Sequence, residues 1–582
     1  MISKHIINDP KTLVEESIQG LCYSNPHLRW VPEEKVVVCA DVESIAQKQV
    51  TLIAGGGSGH EPGYAGYVGH GMLAGAVCGH VFASPSASQI TSVIDRVQSP
   101  HGTLVVVMNY TGDCLNFGLA VERAKARGVK VEMLIIGDDI SVGRSSKVGR
   151  RGMVATVLAI KAAGALASQG ASLAEVRQTA EYVNHHAATL GVALDHCHVP
   201  EGSKTERLPD NEIELGMGIH NEPGCLKAKT LSAKDLVDKM IGLLVDQNDR
   251  ERSFLRLQQD KATPIALVVN NLGGISNLEM NLMVKEVVEA LNKHPNLDIQ
   301  RLYAGEFLTS LNMPGVSITI LVSHGESGER FMSLLDEPAQ VAYWPYSSKS
   351  ALLSRDTMIP SKSRPTDQKQ PLVTRDTDPE VSKKLESAIR AAAEAVISAE
   401  PEITRCDTVL GDGDCGTALK AAARAILLTM SELPLQSASQ TIIKIGEIIE
   451  NSIGGTSSAI YCIYLNALGA SLAEYGSTSR VSWSKAASRA LISLQSYTAA
   501  RIGDRTLMDV LIPFVETLSQ EGDIRSAVDA ARQGCEATHG MRARMGRSSY
   551  LAEEEVRNAN LPDAGALGLA ALLRGIEYGV TH

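Results

Sequence analysis

Short runs of β-branched and aliphatic residues, each ending in a polar or glycine-rich turn, recur through the first half of the chain and strongly limit its fold. The runs are residues 50–54, 103–108, 131–136, 265–269 and 317–322. Alanine-rich, helix-like stretches separate them, a pattern typical of an α/β domain. The turns read GGGSGH, NYTGD, GDD, NNLGG and SHGE in that order. Ligands of open α/β sheets bind at the carboxyl ends of the strands, so we expect the binding site of this half at these turns.

The pattern changes after residue 342. A chain of 582 residues is too long for one hydrophobic core. Residues 343–380 are rich in serine, proline and charge, which is typical of a linker. Beyond them, apolar residues recur every three or four positions, for example over 381–399 and 441–449, and predict amphipathic helices. We therefore predict an α/β domain at 1–342, a linker at 343–380 and an all-α domain at 381–582.

Composition excludes several classes of protein. The net charge is −11 and the basic residues are scattered, so we expect no nucleic-acid partner. No run of about 18 apolar residues occurs and the first residues do not resemble a signal peptide, so we expect a cytoplasmic protein without a membrane partner. The ten cysteines are isolated, which argues against a disulfide framework or a zinc ribbon.

Three aspartates stand close together in CDTVLGDGDCGTALK: Asp407, Asp412 and Asp414. Carboxylates this close repel one another in a partly desolvated site, and a divalent cation removes that conflict. Magnesium prefers carboxylate oxygens and keeps room for phosphate oxygens, so a kinase-type metal site is one interpretation. A solvated Asp-Gly turn is the other. An EF-hand fits poorly, because the segment lacks the glutamate at loop position 12.

Four other segments of the second half suggest that backbone N–H groups approach an anion. They are IGGTSS at 453–458, GDRTLMD at 503–509, GRSSY at 546–550 and PDAGALG from Pro562. Exposed N–H groups at a helix start can bind phosphate, although each segment alone could be an ordinary helix cap. The chain has neither a GxxxxGK[ST] motif nor the motifs of protein kinases, so both of those classes are excluded.

Two histidines and an aspartate are candidates for catalysis in the first half. His60 ends GGGSGH, Asp113 ends NYTGD and His220 lies in MGIHNEPG. A single histidine is more often a hydrogen-bonded structural residue, but both histidines stand in similar His-Glu-Pro-Gly-like contexts, which favours a nucleophile or a proton shuttle. A zinc site is a weaker alternative for another group of histidines that lacks a carboxylate partner: His185, His186, His196 and His198.

Over nearly its whole length the chain resembles the single-chain, ATP-dependent dihydroxyacetone (glycerone) kinases. Six motifs resemble the substrate domain of that family: GGGSGHEPGYAGYVGHGMLAGAVCGHVFASPS, NYTGDCLNFGLAVERA, GRRGMVATV, GMGIHNEPG, NNLGG and TSLNMPGVSIT. GDGDCG, GGTS, GDRT and GRSSYL resemble its nucleotide domain. The resemblance implies an N-terminal α/β ketose-binding domain followed by an all-α, helical-barrel nucleotide domain. It also implies transfer of the γ-phosphoryl group of ATP to dihydroxyacetone, and to glyceraldehyde as well, with Mg²⁺ as cofactor.

The resemblance assigns roles to individual residues. His220 matches the histidine that forms a hemiaminal with the substrate ketone, and His60 and Asp113 match residues with acid–base roles. The substrate-binding positions correspond to Gly57, Ser58, Gly59, His60, Met108, Asp113 and His220. The magnesium-binding positions correspond to Asp407, Asp412 and Asp414. The ATP-binding positions correspond to Cys415, Gly416, Thr417, Ala418, Thr456, Ser457, Arg547, Asp563, Ala564 and Gly565. The family also implies a homodimer in which the helical domain of one subunit closes over the substrate domain of the other.

Departures from the family pattern keep alternatives open. The family usually has lysine where this chain has Met108, so a kinase for another short ketose such as erythrulose is an alternative. Ser458 replaces a glycine, and Leu507 and Thr498 stand where methionine and glycine are common. A non-catalytic ketose-binding regulator is a further alternative, although a pure regulator has no use for three aspartates. Flavin-nucleotide cyclisation, known for some animal relatives, is another.

Overall fold

A computed structural model of the chain describes residues 5–200, 207–258, 261–344, 379–476, 479–545 and 553–582. The chain divides into two compact units, Met1–Ile359 and Pro360–His582. The first is an α/β unit and the second is helical, which confirms the predicted fold class. In the part of the chain that is described, no helix is both long enough and apolar enough to cross a membrane.

The α/β unit contains two six-stranded sheets. Its strands are β1 Leu28–Val31, β2 Val36–Cys39, β3 Thr51–Ser58, β4 Gly75–Val81, β5 Thr103–Met108, β6 Val131–Ile136, β7 Ala187–Ala193, β8 Glu212–Leu215, β9 Leu226–Lys229, β10 Thr263–Asn271, β11 Leu297–Gly305 and β12 Gly315–Val322. Its helices are α1 Leu13–Ser24, α2 Val42–Lys48, α3 Ala87–Val97, α4 Thr111–Ala126, α5 Ala155–Ser168, α6 Leu173–His186, α7 Ala233–Val245, α8 Asn277–Leu291 and α9 Gly325–Asp336.

The two sheets differ in strand direction. The first has the order β1-β2-β4-β3-β5-β6, and β4, β3, β5 and β6 run parallel. The second has the order β11-β10-β12-β7-β8-β9, in which only β10 and β11 are parallel. The turns after β3, β5 and β6 therefore lie at one edge, as expected. Because β12 runs antiparallel to β10, the SHGE turn lies at the opposite end from NNLGG, so the expectation of one crevice for all five turns was wrong for SHGE.

Helix α5 is the central helix of the α/β core. Every residue from Ala155 to Ala167 is buried, because α6, α9 and the first sheet pack around it. Its start is fixed by Asp138 of the GDD turn, which is wholly buried and accepts hydrogen bonds from the backbone N–H groups of Met153 and Ala155. This carboxylate therefore has a structural role.

The described part of the second unit is built from helices. They are α10 Pro379–Leu410, α11 Cys415–Leu428, α12 Ala438–Ser452, α13 Gly455–Tyr475, α14 Arg480–Gln495, α15 Met508–Glu521, α16 Ile524–Ala537, α17 Glu553–Ala559 and α18 Ala564–Thr581. Helix α10 extends beyond the amphipathic pattern over 381–399 and carries Asp407 in its last turn. Glycines let α18 approach α10 closely, since a Cβ atom on Gly575 would lie 2.5 Å from the Ala391 carbonyl oxygen.

Candidate active site

Glycines at the end of β3 allow three chain segments to meet. Strand β3 continues through Gly55, Gly56 and Gly57, which the sequence indicated to be a turn. A Cβ atom on Gly57 would lie 2.8 Å from the backbone nitrogen of Ala83, and one on Gly56 would lie 3.5 Å from Asp113 Oδ2. Only glycine permits the approach at Gly57 without displacing the neighbouring backbone. The strand end therefore sits directly against Asp113 and the segment after β4.

His60 and His220 meet at this strand end, although 160 residues separate them in the sequence. Their Nε2 atoms are 3.0 Å apart and their rings are perpendicular. The Nδ1 atom of His60 lies 2.9 Å from the carbonyl oxygen of Thr309. His60 is buried, and burial, followed by the charge of His220, lowers the pKa of its imidazole to about 3.

The loop between β8 and β9 fixes the orientation of His220. Its Nδ1 atom lies 2.9 Å from Glu222 Oε1, and its backbone N–H donates to Glu222 Oε2, also at 2.9 Å. Asn221 has a left-handed backbone with φ of 63°, and its side chain bonds to both backbone groups of Cys197. Hydrogen bonds within its own loop therefore set the orientation of the imidazole.

Aromatic rings and a buried carboxyl group surround the two histidines. Phe82 stacks on His60, and the edge of Tyr110 meets the ring of His220 at a centroid distance of 4.9 Å. Asp113 is only 6% exposed, and burial raises its pKa even though the Ser84 hydroxyl and the charge of His220 act in the opposite direction. Within the described part of the chain, Asp113 Oδ1 and the hydroxyl of Tyr110 have no hydrogen-bond partner. Such buried polar atoms indicate a place for a small polar ligand.

The remaining predicted substrate-binding residues have mixed surroundings. The Ser58 hydroxyl donates to the Gly79 carbonyl oxygen at 2.8 Å, so it already has a structural partner. Gly59 has φ of 101°, and its N–H donates to the carboxylate of Glu61. Met108, at the end of β5, is buried in the hydrophobic core. Gly152 packs closely against Met108, since a Cβ atom on Gly152 would lie 2.6 Å from the Met108 Cβ.

The helical unit brings together the three predicted metal-binding aspartates. One carboxylate oxygen from each of Asp407, Asp412 and Asp414 lies within 4.8 Å of the other two. Asp407 is half-buried and its Oδ2 accepts the N–H of Cys415 at 2.9 Å, whereas the other two are exposed. Gly413, with φ of 81°, allows the turn that aims them together. Among the described residues no other group of three or more such side chains could hold a metal ion, so the zinc alternative for the histidines is not supported.

The predicted nucleotide-binding residues lie at the starts of three helices. Cys415, Gly416, Thr417 and Ala418 form the first turn of α11, Thr456 and Ser457 lie in the first turn of α13, and Asp563, Ala564 and Gly565 begin α18. Arg547 lies outside the described residues. Helix starts carry N–H groups without intrahelical partners, which is the arrangement that binds phosphate.

The start of α18 lies near the acidic cluster. Burial raises the pKa of Asp563 to about 6, and Asp407 contributes to this rise. Arg505, which is 2% exposed and has a left-handed backbone, lies 3.9 Å from Asp563 and donates to the Leu561 carbonyl oxygen. The GDRT segment therefore supports the start of α18 with a buried guanidinium group.

Sequence reasoning did not identify several residues of the α/β site: Phe82, Tyr110, Glu222 and Thr309. Glu222 had a readable signal, because an acidic residue two positions after a candidate histidine can hydrogen-bond to it. Thr309 contributes only a carbonyl oxygen, which no side-chain pattern reveals.

Comparisons with known proteins agree over the whole chain. Residues 19–343 match the Dak1 domain and residues 409–578 match the DAK2 domain. The chain is 41% identical to dihydroxyacetone kinase 2 of Saccharomyces cerevisiae over 97% of each chain, and 40% identical to the dihydroxyacetone kinase of Pichia angusta over 99% of this chain and 98% of that one. The fold matches the crystal structure of the dihydroxyacetone kinase from C. freundii in complex with AMP-PNP and Mg²⁺, with a TM-score of 0.71 and 30% identity over 99% of both chains. The chain therefore belongs to the family of single-chain dihydroxyacetone kinases and is an ATP-dependent kinase.

Proposed function

We propose that the chain transfers the γ-phosphoryl group of ATP to a hydroxyl group of dihydroxyacetone, giving dihydroxyacetone phosphate. The observation that carries this proposal is the imidazole pair of His60 and His220 beside the buried carboxyl group of Asp113. A kinase acting on a hydroxy-ketone needs a group that recognises the carbonyl and a group that accepts the hydroxyl proton. The α/β site supplies candidates for both.

In this proposal His220 holds the ketone covalently as a hemiaminal. A triose has about six heavy atoms, and at about 1.5 kcal/mol per atom, non-covalent contacts supply at most roughly 9 kcal/mol. A reversible covalent bond adds orientation and selects for a carbonyl compound. Glyceraldehyde also has a carbonyl and is a second expected substrate, whereas glycerol has none and is expected to be rejected.

His60 and Asp113 take the acid–base roles around the attacking hydroxyl. The Asp113 carboxyl is buried and its pKa is raised, which makes it a stronger base than an exposed aspartate. Its unpartnered Oδ1 is available to accept a proton from a substrate hydroxyl. Gly57, Ser58 and Gly59 form the backbone on which the triose would rest.

The helical unit would hold the nucleotide. Three carboxylates with oxygens within 4.8 Å of one another are a donor set that suits Mg²⁺, so Asp407, Asp412 and Asp414 would hold the ion. Magnesium bound there would neutralise charge on the phosphates during an in-line transfer. The starts of α11, α13 and α18 offer N–H groups for the phosphate oxygens.

A substrate panel tests the proposal. Purified protein with MgATP should phosphorylate dihydroxyacetone and glyceraldehyde but not glycerol. His220→Ala should fold normally, because the side chain is partly exposed and Asn221 still anchors the loop, and it should lose measurable ketose binding in calorimetry. His196→Ala is a matched control outside the imidazole pair and should behave as wild type. Absence of phosphate transfer to any of these ketoses by the wild-type protein would refute the proposal.

Met108 supports one alternative substrate. Its buried, apolar side chain stands where the family usually has lysine, so a substrate-binding ammonium group is missing. A longer ketose such as erythrulose could gain contacts elsewhere in the site. If kcat/KM for erythrulose greatly exceeds that for dihydroxyacetone, and Met108→Lys reverses the order, the tetrulose is the substrate.

We also propose that the enzyme is a homodimer and acts in the cytoplasm. All ten cysteines are free, which fits a reducing compartment. Light scattering should give the mass of a dimer. In a mixture of His220→Ala and Asp412→Asn proteins, recovery of activity would indicate that donor and acceptor sites of different subunits cooperate, whereas a monomeric mass would contradict the assembly.

A further inference from the structure

Glu222 contacts His220 more closely than any residue assigned above. Its Oε1 is 2.9 Å from His220 Nδ1 and its Oε2 accepts the His220 backbone N–H at 2.9 Å. Burial alone would raise the pKa of Glu222, but the hydrogen bond and the charge of His220 outweigh it and lower the pKa to about 2. The carboxylate is therefore ionised and can only accept hydrogen bonds, so the Nδ1 atom of His220 carries a proton.

The other end of the pair is fixed in the same way. A backbone carbonyl oxygen can only accept, so the Nδ1 atom of His60 donates to Thr309 and also carries a proton. A neutral imidazole has one N–H group. If both rings were neutral, each Nε2 would present a bare lone pair to the other, yet the two atoms are separated by 3.0 Å, a hydrogen-bond distance.

We infer that the two imidazoles share one additional proton between their Nε2 atoms and that Glu222 is the positioning residue whose carboxylate keeps this charge at His220. Burial, together with the charge of its neighbour, makes His60 the weaker base of the two. The proton therefore resides on His220, where the carboxylate is in direct contact. The pair and Glu222 together are electrically neutral.

Other groups around the pair do not replace Glu222. The titratable and charged side chains that face it are Asp113, Tyr110, Arg151 and Cys197. Arg151 forms its ion pair with Asp139, at 2.7 Å; the charge of Glu222 also raises the pKa of Arg151, but no ion pair joins the two among the described contacts. Burial raises the pKa of both Tyr110 and Cys197, which keeps them neutral. Asp113 contributes a second negative charge, but no hydrogen bond joins it to either histidine among the described contacts.

This arrangement, which rests on the proposed ketose chemistry, lets the shared proton serve substrate capture. The proton first moves from His220 to the Nε2 atom of His60, 3.0 Å away, which frees the Nε2 lone pair of His220. This lone pair forms a bond to the carbonyl carbon, the π pair of the C=O bond moves to oxygen, and that oxygen takes the proton from His60. His220 keeps its Nδ1 proton, so its ring is cationic beside Glu222 and His60 is left neutral.

The test reads the protonation of His220 in the free protein. Diethyl pyrocarbonate acylates unprotonated imidazole nitrogens, so the rate of modification of His220, followed by peptide mass spectrometry across pH, reports the midpoint of its titration. Removing an adjacent opposite charge shifts such a midpoint by about one to three pH units. We therefore expect Glu222→Gln to lower the midpoint by at least one unit and to weaken dihydroxyacetone binding tenfold or more.

Two variants control for packing. Glu214→Gln removes another buried carboxylate that accepts a backbone N–H of the same loop, from Gly224 at 2.6 Å, without touching His220. It should leave the midpoint unchanged. Glu222→Asp keeps the charge and should stay much closer to wild type than Glu222→Gln. An unchanged midpoint in Glu222→Gln, or equal shifts in both Glu222 variants, would overturn the inference.

The readouts separate this inference from the proposed function. The acylation rate needs no ketose, so a lowered midpoint in Glu222→Gln together with no ketose binding by wild type would support the shared proton and refute the hemiaminal. Ketose binding by wild type together with an unchanged midpoint in Glu222→Gln would support the hemiaminal and refute the shared proton. If Glu222→Gln does not fold, Glu222→Asp carries the test. If charge is the cause, the shorter carboxylate should keep the midpoint of His220 near that of wild type.

Discussion

At the scale of single residues, Asp113 combines a buried carboxyl group with an oxygen that has no partner in the described part of the chain. Asp113→Asn keeps the shape of the side chain and removes the proposed base. We expect kcat to fall by about 10²- to 10⁴-fold while dihydroxyacetone binds with nearly wild-type affinity. Since burial raises the pKa of Asp113, the activity of wild type should fall on acidification at a higher pH than an ordinary aspartate would produce. Steady-state kinetics with calorimetry checks both.

The control for this prediction is Asp95→Asn, which removes an exposed carboxylate paired with Arg127. It should leave kcat unchanged. A wild-type kcat in Asp113→Asn, or loss of ketose binding there, would contradict the base role.

The sequence indicated His60, Asp113, His220 and the three aspartates as candidates because glycine-rich contexts mark them. It could not show that Ser58 already donates to Gly79, or that Glu222 and Thr309 fix the two imidazoles. Side-chain direction and contacts across many residues of sequence depend on packing, which no local pattern encodes.

At the scale of secondary-structure elements, Lys161 joins two helices of the α/β core. It is fully buried in α5, and its Nζ donates to the Leu334 carbonyl oxygen in the last turn of α9 at 2.8 Å. Burial lowers its pKa from 10.5 to about 8, against the attraction of Glu337 and Asp336. Between these two pH values the unfolded chain binds more protons, so the free energy of unfolding gains about 3 kcal/mol from this residue as pH rises from 8 to 10.5.

Denaturant unfolding of the full chain across this pH range checks the prediction. Lys161→Met should lack this rise, whereas Lys125→Met, which removes an exposed ammonium group, should follow wild type. Parallel pH profiles for wild type and Lys161→Met would show that the buried amine is not responsible.

The contact of α10 with α18 gives a second prediction at this scale. A Cβ atom on Gly575 would lie 2.6 Å from the Ala392 Cα, so the two helix backbones must separate. Gly575→Ala should destabilise the helical unit by about 1–3 kcal/mol in denaturant unfolding. Gly446→Ala, in α12, meets no atom closer than 3.4 Å and should be neutral or slightly stabilising. Equal effects of the two substitutions would contradict the packing argument.

The elements themselves were only partly predictable. Strands β5 and β6 have the predicted bounds. Strand β5 is buried at every position, as its continuous aliphatic run indicates, whereas β6 is partly exposed. The sequence pattern missed short strands such as β1 and β8 and the alanine-rich β7, whose residues carry weak local preference for a strand. Strand β1 forms because it pairs with β2 in the first sheet, and β7 and β8 form because they pair within the second sheet, where β12 runs antiparallel to β10.

At the scale of the whole molecule, two units with separate cores carry the proposed ketose site and the proposed nucleotide site. A ligand stabilises the folded unit that binds it, by about 2.7 kcal/mol at a concentration of one hundred times Kd. Dihydroxyacetone should therefore raise the melting temperature of the α/β unit, and MgATP that of the helical unit, in calorimetry of the full chain. His220→Ala should abolish only the first effect and Asp412→Asn only the second, because each residue belongs to one site. If MgATP still stabilises Asp412→Asn as it does wild type, the acidic cluster does not bind the nucleotide's metal. If either ligand raises the melting temperature of both units, the division of the two sites between the units is wrong.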